Sequence, residues 1–270
     1  VASIYITGIA GFLGSNLAKR CRELGWEVHG IDLVARSDAR RLEGAELKSY
    51  TWGSMIDLKA LPPVDYVVHC AAVADVPFAM TSPSYTLQQN VMGTLQFMEA
   101  MREAQERYHT IQRVVVQSSE SVYGNAFPGL IPEETTLNPV NIYGASKAAQ
   151  ELVARSYFHA HGLPVTIIRS STLYGPDMRR NQVVTIFLRQ AFRGQPITVH
   201  GDGKQSRDFN YVSNAVEGIL LALTTDGAAG DVFNIAGGNE VSVKDLAYLC
   251  IKVTGNVCPV VHTAQRPGEQ

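Results

Sequence analysis

The chain has 270 residues, of which 46% are hydrophobic and 18% charged, with a net charge of −2. This is enough for one large α/β domain or one domain with a smaller appendage. The near-neutral balance gives no basic face for nucleic acid and no membrane-binding face, and no apolar run approaches membrane-spanning length. Ile4–Ile9 also lacks the basic flank of a signal peptide.

The chain opens on a β-branched run, Ile4-Tyr5-Ile6, followed by Thr7-Gly8-Ile9-Ala10-Gly11-Phe12-Leu13-Gly14 and then a helical pattern through Leu17, Cys21 and Leu24. Strand, glycine turn and helix in that order form the context of a dinucleotide-binding turn, although the spacing is G-x-x-G-x-x-G. Gly8 permits the tight turn, Gly11 lets the backbone approach a pyrophosphate, and Gly14 lets helix lie on strand. The helix N-terminus then turns free N–H groups to the phosphates.

Glu27–Asp32 reads as the second strand, and its terminal acid falls 18 residues after Gly14. A carboxylate there accepts hydrogen bonds from the ribose hydroxyls and repels a 2′-phosphate, which favours NAD over NADP. Arg36, close by, argues the other way. Leu47–Trp52 is a third strand, and Asp57 is placed as the N-cap of a short helix. Val64–Cys70 is a buried fourth strand ending on Ala71-Ala72, small residues that leave room for a cofactor. A long helix is expected over Ser84–Arg107. Arg113–Ser118 is the fifth strand, opening into Ser119-Glu120-Ser121-Val122-Tyr123-Gly124. Tyr143-Gly144-Ala145-Ser146-Lys147 heads another helix, and Val165–Arg169 is the sixth strand. Alternation of this kind predicts a parallel sheet with helices on both faces. Beyond Gly175-Pro176 the pattern is less regular. Helices are expected at Val183–Phe192, Asn214–Leu223 and Val243–Val253, with strands at Pro196–Val199 and Val232–Ile235 and a glycine turn at Gly201-Asp202-Gly203.

Cys21, Cys70, Cys250 and Cys258 show no metal or redox spacing and read as buried reduced thiols of a cytoplasmic protein. His159 and His161 point to different faces of their helix, so no metal site is expected.

Tyr143 and Lys147 are four apart, on one face of one helix. A phenol is a poor base at neutral pH, and an ammonium beside it favours the phenolate. Ser119, at a neighbouring strand end, could hold the same substrate oxygen. In isolation the pair could equally be an exposed tyrosine above a lysine. Downstream of a dinucleotide turn it reads as a proton-transfer site.

By these residues the sequence resembles the extended short-chain dehydrogenase/reductase family, in its NAD-dependent sugar-nucleotide epimerase/dehydratase branch. The resemblance runs from Ser3 to Gly268. Besides the glycine turn it rests on His69-Cys70-Ala71-Ala72, Asn90-Val91-x-Gly93-Thr94, Ser119 through Gly124, Tyr143 through Lys147 and Arg169 through Pro176. Gly201-Asp202-Gly203, Arg207-Asp208-Phe209 and Arg266-Pro267-Gly268 complete it. It implies a Rossmann-type doubly wound parallel sheet over residues 1–172 and a smaller substrate-binding lobe over 173–270. Some elements of that lobe return to the sheet, and the C-terminal end is expected to be incomplete.

The resemblance further implies NAD bordered by Gly8, Ala10, Gly11, Phe12, Leu13, Asp32, Ser54, Met55, Ala71, Ala72, Asn90, Ser118 and Ser170, together with Tyr143 and Lys147. A nucleoside diphosphate sugar would lie against Ser119, Glu120, Tyr143, Thr172, Val183, Thr198, His200, Arg207 and Arg266, with the two arginines on the diphosphate. Ser119, Tyr143 and Lys147 would be catalytic. The long helices Ser84–Arg107 and Asn141–His161 match a four-helix homodimer interface.

Departures from the family pattern concern the substrate. Thr172 and Val183 each replace an asparagine, Asn214 replaces an aspartate, His200 stands for a larger aromatic residue, and Ser54-Met55 replaces an acid and an aliphatic residue. The dehydratase branch follows its hydroxyl residue with an acid pair, and the decarboxylase branch carries a glutamate two positions on. Here the only acid, Glu120, is one position on and Ser121 follows. The expected reaction is therefore 4-epimerisation of a UDP-hexose or UDP-hexuronate through a transient 4-keto sugar. A 4,6-dehydratase, a decarboxylase, a net oxidoreductase and a non-catalytic NAD-binding module stand as alternatives.

Overall fold

The structure, a computed structural model, describes residues 1–125 and 129–264. Its first half runs β1 (Ser3–Thr7), α1 (Phe12–Glu23), β2 (Glu27–Asp32), β3 (Ser49–Trp52), β4 (Tyr66–His69), α2 (Val76–Thr81), α3 (Pro83–Leu87), α4 (Gly93–Tyr108), β5 (Arg113–Ser119), α5 (Ile142–His161) and β6 (Val165–Ser170). The second half runs β7 (Thr172–Tyr174), α6 (Val183–Phe192), β8 (Ile197–His200), β9 (Ser206–Tyr211), α7 (Val212–Thr224), β10 (Val232–Ile235), β11 (Glu240–Ser242), α8 (Val243–Thr254) and β12 (Val260–Thr263).

Seven strands form one parallel sheet in the order β10-β6-β5-β4-β1-β2-β3. The period-2 alternation of its strands explains why both faces are covered. Ile4 and Ile6 enter one core with Leu17, Val28 and Ile219, while Tyr5 between them enters the other with Phe97, Met98 and Met101. In β5, Val115 joins the first core, and Val114 and Val116 the second. A strand apolar on both faces must be sandwiched by helices, so the sheet is doubly wound. The order reverses between β1 and β4, which opens a crevice at their C-terminal ends.

The second half folds partly onto this sheet. β10 extends it beside β6, and α7 packs on α1 through Val216 and Ile219. The rest is a lobe with its own core, where Phe187 and Ala191 of α6 meet Leu246 and Cys250 of α8 over Ile197 and Val199. In that lobe β9 pairs antiparallel with β11 and parallel with β7, and β8 pairs parallel with β12.

Three expectations are corrected. The helix over Ser84–Arg107 is not continuous: α3 ends at Leu87, a π turn spans Gln88–Met92, and α4 follows. The widened turn coincides with Asn90, which bonds the chain at Val73 and Ser146. Asp57 is not an N-cap, since the single turn is Met55–Asp57 itself and Ser54 is its N-cap, accepting from the Ile56 N–H at 3.2 Å. The irregular second half contains β7, β9, β11 and β12, which are too short or too polar to show an apolar period. All four cysteines are free thiols. Among the described residues no helix is long and apolar enough to cross a membrane.

Candidate active site

A cleft of about 890 Å³ opens at the crevice between β1 and β4 and extends to the lobe. That is at the large end of the range for small-molecule sites. Its floor is the turn after β1. Gly8 has φ +66°, and a Cβ there would lie 2.8 Å from the Ala71 backbone, so only glycine fits between β1 and the end of β4. A Cβ on Gly14 would stand 2.3 Å from the Gly8 carbonyl, so α1 starts in direct contact with the turn. Gly11 is its N-cap, with no side chain bonding the first-turn N–H groups and no acid in that turn. The dipole and free donors of this helix end are therefore open to an anion.

Asp32 ends β2 at the cleft wall. Its carboxylate accepts from the Ala10 N–H at 2.8 Å and the Val34 N–H at 3.0 Å, which fixes the side chain and leaves acceptor capacity on each oxygen. Arg36 turns away from it and donates to the carbonyls of Leu42 and Ala45. The cation that argued for a 2′-phosphate is thus spent within its own loop.

The chemical end is built where α5 meets the turn after β5. Asn141 caps α5 by accepting from the Gly144 N–H at 2.9 Å. A Cβ on Gly144 would lie 2.4 Å from the Ser121 carbonyl, so the first turn of α5 rests against the Ser119 turn. That contact brings Tyr143 to Ser119. Ser119 in turn caps Glu120–Val122 through the Ser121 N–H at 3.2 Å. Burial raises the Tyr143 phenol above its usual range, while the Ser119 hydroxyl and the Arg179 charge act to lower it and Glu120 acts to raise it.

Lys147 is 3% exposed and donates to the Gln117 carbonyl of β5. Burial lowers it to about 8, offset in part by Cys70 and Glu151. A cation beyond Lys147 bears on Tyr143, namely Arg179. Arg179 donates to the Ala74 carbonyl at 2.9 Å and lies 3.8 Å from Asp75. Sequence reasoning passed over it. Its only signal was the pair Arg179-Arg180 after Gly175-Pro176, a charged run in a loop that bordered the other motifs.

Glu120 lies one residue past Ser119 in the same wall, and Thr172 Oγ1 donates to its Oε1 at 3.0 Å. Burial pushes its carboxyl up to about 7, with the Thr172 bond and Arg207 acting downward and Asp208 upward. Behind this wall, Arg169 and Glu151 form a buried ion pair at 2.7 Å, and Ser118 donates into the same carboxylate. This pair, too, was not foreseen.

Of the other expected residues, Phe12, Leu13, Met55, Ala71, Ala72, Ser118, Ser170, Thr172 and Arg207 line the cleft with those above. Ala10, Ser54, Asn90, Val183, Thr198 and His200 do not. Ala10 is buried and gives its N–H to Asp32. Asn90 holds the cleft-lining segment from beneath, accepting from the Val73 N–H at 2.7 Å. Val183 begins α6, and the Thr198 N–H donates to Gln190 Oε1 at 3.3 Å. His200 Nδ1 pairs with Thr263 Oγ1 at 2.8 Å. Arg266 lies outside the described residues.

The glycine cradle, the uncapped helix end, the fixed Asp32 and the buried Lys147 together suit a dinucleotide with an unmodified adenosine ribose. The sequence profile of the NAD dependent epimerase/dehydratase family matches residues 4–236. The chain is 31% identical to a Bacillus subtilis protein named as an uncharacterized UDP-glucose epimerase, over 98% of this chain and 86% of that one. Its fold superposes with a TM-score of 0.91 on UDP-glucuronic acid 4-epimerase from Bacillus cereus, solved with UDP-glucuronic acid and NAD, at 27% identity over 99% of this chain and 88% of that one. A dTDP-glucose 4,6-dehydratase from Streptomyces venezuelae, solved with NAD, gives a TM-score of 0.90 at 29% identity, covering 99% and 86%. The cleft and these likenesses lead to one conclusion: the chain belongs to the NAD-dependent epimerase/dehydratase family of enzymes, and NAD is its cofactor.

Proposed function

We propose that this protein interconverts the 4-epimers of a nucleoside diphosphate sugar, a UDP-hexose or UDP-hexuronate, with NAD retained through turnover. The observation that carries the reading is the makeup of the wall beside Tyr143. The segment Ser119–Ser121 sets the Ser119 hydroxyl beside Tyr143 and carries one carboxyl, Glu120, with a serine at position 121. Elimination of water across sugar carbons 5 and 6 calls for an acid and a base. Removal and return of a proton at the 4-hydroxyl calls for one phenol. The relatives named as UDP-sugar epimerases support the same choice.

Tyr143 takes the proton of the 4-hydroxyl and later returns it, with Ser119 holding the reacting oxygen in line. Lys147, fixed to the Gln117 carbonyl, orients the cofactor ribose and adds positive charge behind the phenol. Bound NAD supplies the oxidising power at C4 and is regenerated in the same cycle. Arg207, in the cleft wall on β9, anchors the diphosphate, because a guanidinium fork matches paired phosphate oxygens. Binding energy from that anchor is remote from the reacting carbon and serves to position it. On this reading residues 1–172 hold the cofactor and the reacting end of the sugar, and the lobe over residues 173–270 contributes Arg207.

The proposal extends to a cytoplasmic homodimer. Tyr85, Leu87, Met92 and Leu95 on the α3–α4 segment and Leu152 on α5 are exposed apolar side chains on the helices that the dimer reading requires.

A 4,6-dehydratase is the second reading, because a Glu120 carboxyl held near 7 can act as an acid at neutral pH. Incubation with a panel of nucleotide sugars and no added cofactor, read by proton NMR, separates the two. Interconversion of 4-epimers without net NADH is the expected result. A 4-keto-6-deoxy product would transfer the protein to the dehydratases.

A further inference from the structure

Glu120 is the one charged residue of the wall segment Ser118–Ser121, and the mechanism above gives it no task. Ser119 and Tyr143 hold the oxygen at C4, so groups that border them face the carbons next to C4. Glu120 directly follows Ser119, and its charge acts on Tyr143. Thr172 ties its Oε1 to the start of β7, so the carboxyl cannot swing freely out to solvent. The titratable groups that bear on it are Arg207 and Asp208 of β9 and the neutral Tyr143 of α5. Asp208 is fully engaged, accepting from Ser171 and from the N–H groups of Gly237, Gly238 and Asn239.

Two carboxylates in one low-dielectric cleft cannot both ionise cheaply. A hexuronate would bring its C5 carboxylate beside C4, toward a residue that already resists ionisation. A hexose brings a CH₂OH group there, whose hydroxyl can donate to a carboxylate oxygen. Arg179 borders the same end and would favour an anion. Its guanidinium is already committed to the Ala74 carbonyl and lies near Asp75, and its side chain is 40% exposed, so its charge is screened. Arg207 also draws an anion, and the diphosphate claims it on the reading above.

We infer that Glu120 sets the sugar class of this site, admitting a neutral hexose and discriminating against a hexuronate. The inference rests on the nucleotide-sugar reading of the cleft and on C4 lying against Ser119 and Tyr143, but not on whether C4 is then inverted. It predicts a proton dependence of its own. Glucuronate binding should improve as pH falls through about 7, because Glu120 then becomes neutral, whereas glucose binding should stay level.

The test is calorimetric titration of the NAD-loaded protein with UDP-glucose and with UDP-glucuronate at pH 6 and pH 8. UDP-glucose should bind more tightly at pH 8 by about tenfold or more, the equivalent of one pK unit. The gap should narrow at pH 6. Glu120→Gln, which keeps the Thr172 bond, should bring the two affinities within about twofold and abolish the pH dependence. Glu120→Ser should do the same. Equal affinities in the unaltered protein, or a gap that persists in both variants, overturns the inference. If neither sugar nucleotide binds, the nucleotide-sugar reading falls and the inference with it. If the affinities behave as expected and neither sugar is epimerised, the inference stands and only the proposed reaction fails.

Discussion

Arg169 grips Glu151 across 2.7 Å directly behind the catalytic wall, and both side chains are buried. Arg169 also donates to the Tyr123 hydroxyl and the Glu133 carbonyl, each at 2.8 Å, while Ser118 bonds the Glu151 carboxylate. Arg169 lies on β6 and Glu151 on α5, so the pair fastens α5 to the sheet, and the Ser118 bond ties in β5, whose contact with α5 forms the site. Breaking it from one side should be severe. Arg169→Met leaves a buried carboxylate unpaired and should cost about 3–5 kcal/mol in urea unfolding. Arg169→Met with Glu151→Leu should recover part of that loss, and a single-variant cost under about 1 kcal/mol would show the pair to be dispensable.

Tyr143→Phe removes one hydroxyl from a wall that otherwise keeps its shape. Turnover should fall by about 10²–10⁴, while NAD binding, followed by fluorescence, stays close to that of the unaltered protein. Unchanged turnover would sink the proton-transfer role.

Lys147 should trade stability for activity. Its charged form is disfavoured by burial, which lowers it from 10.5 to about 8. A base lowered on folding imposes a penalty that is full below pH 8 and is relieved as pH rises from 8 toward 10.5. The shift corresponds to about 3 kcal/mol, reduced in practice by the lost bond to Gln117. Lys147→Met should therefore melt higher at pH 7 and abolish turnover. Relative to it, the unaltered protein should gain stability between pH 8 and 10.5. Thermal unfolding across that range decides the matter, and a variant that melts lower at pH 7 refutes it.

Gly14→Ala tests the cradle. Its Cβ would meet the Gly8 carbonyl at 2.3 Å, so α1 must withdraw from the turn that faces the cofactor. Overpacking of this kind costs about 1–3 kcal/mol. The same shift should weaken NAD by about tenfold or more, since the helix end no longer aims at the phosphates. Retention of full NAD affinity would mean that the turn has slack not visible in its geometry.

Much of this was legible along the chain, for a physical reason. The sheet strands are runs such as Arg113–Ser119 and Val165–Ser170, apolar on both faces, and such runs identify themselves by composition. Gly8, Gly11 and Gly14 are identified by a steric need that no other residue meets, and Asp32 by its distance along the chain from them. Tyr143 and Lys147 share a helix face by spacing alone. Short polar strands such as β9 carry no such signature, because pairing with β7 and β11 rather than an apolar period makes them strands. Asn90 was legible as part of a motif, but its task beneath Val73 depends on a π turn that its own sequence does not announce.

What the sequence by itself determined is therefore local: which segments are strands and helices, where the backbone must be glycine, and which titratable side chains share a face. The tertiary structure alone decided which charges meet. Lys147 is one turn from Tyr143 in the helix, yet its bond goes to Gln117 on β5, while Arg179, 36 residues beyond Tyr143, brings a further cation to bear on the phenol. Glu120 owes its raised pKa to burial in a wall built from β5, β7, β9 and α5. Charge interactions and desolvation depend on distance and burial in space, and neither is a property of spacing along the chain.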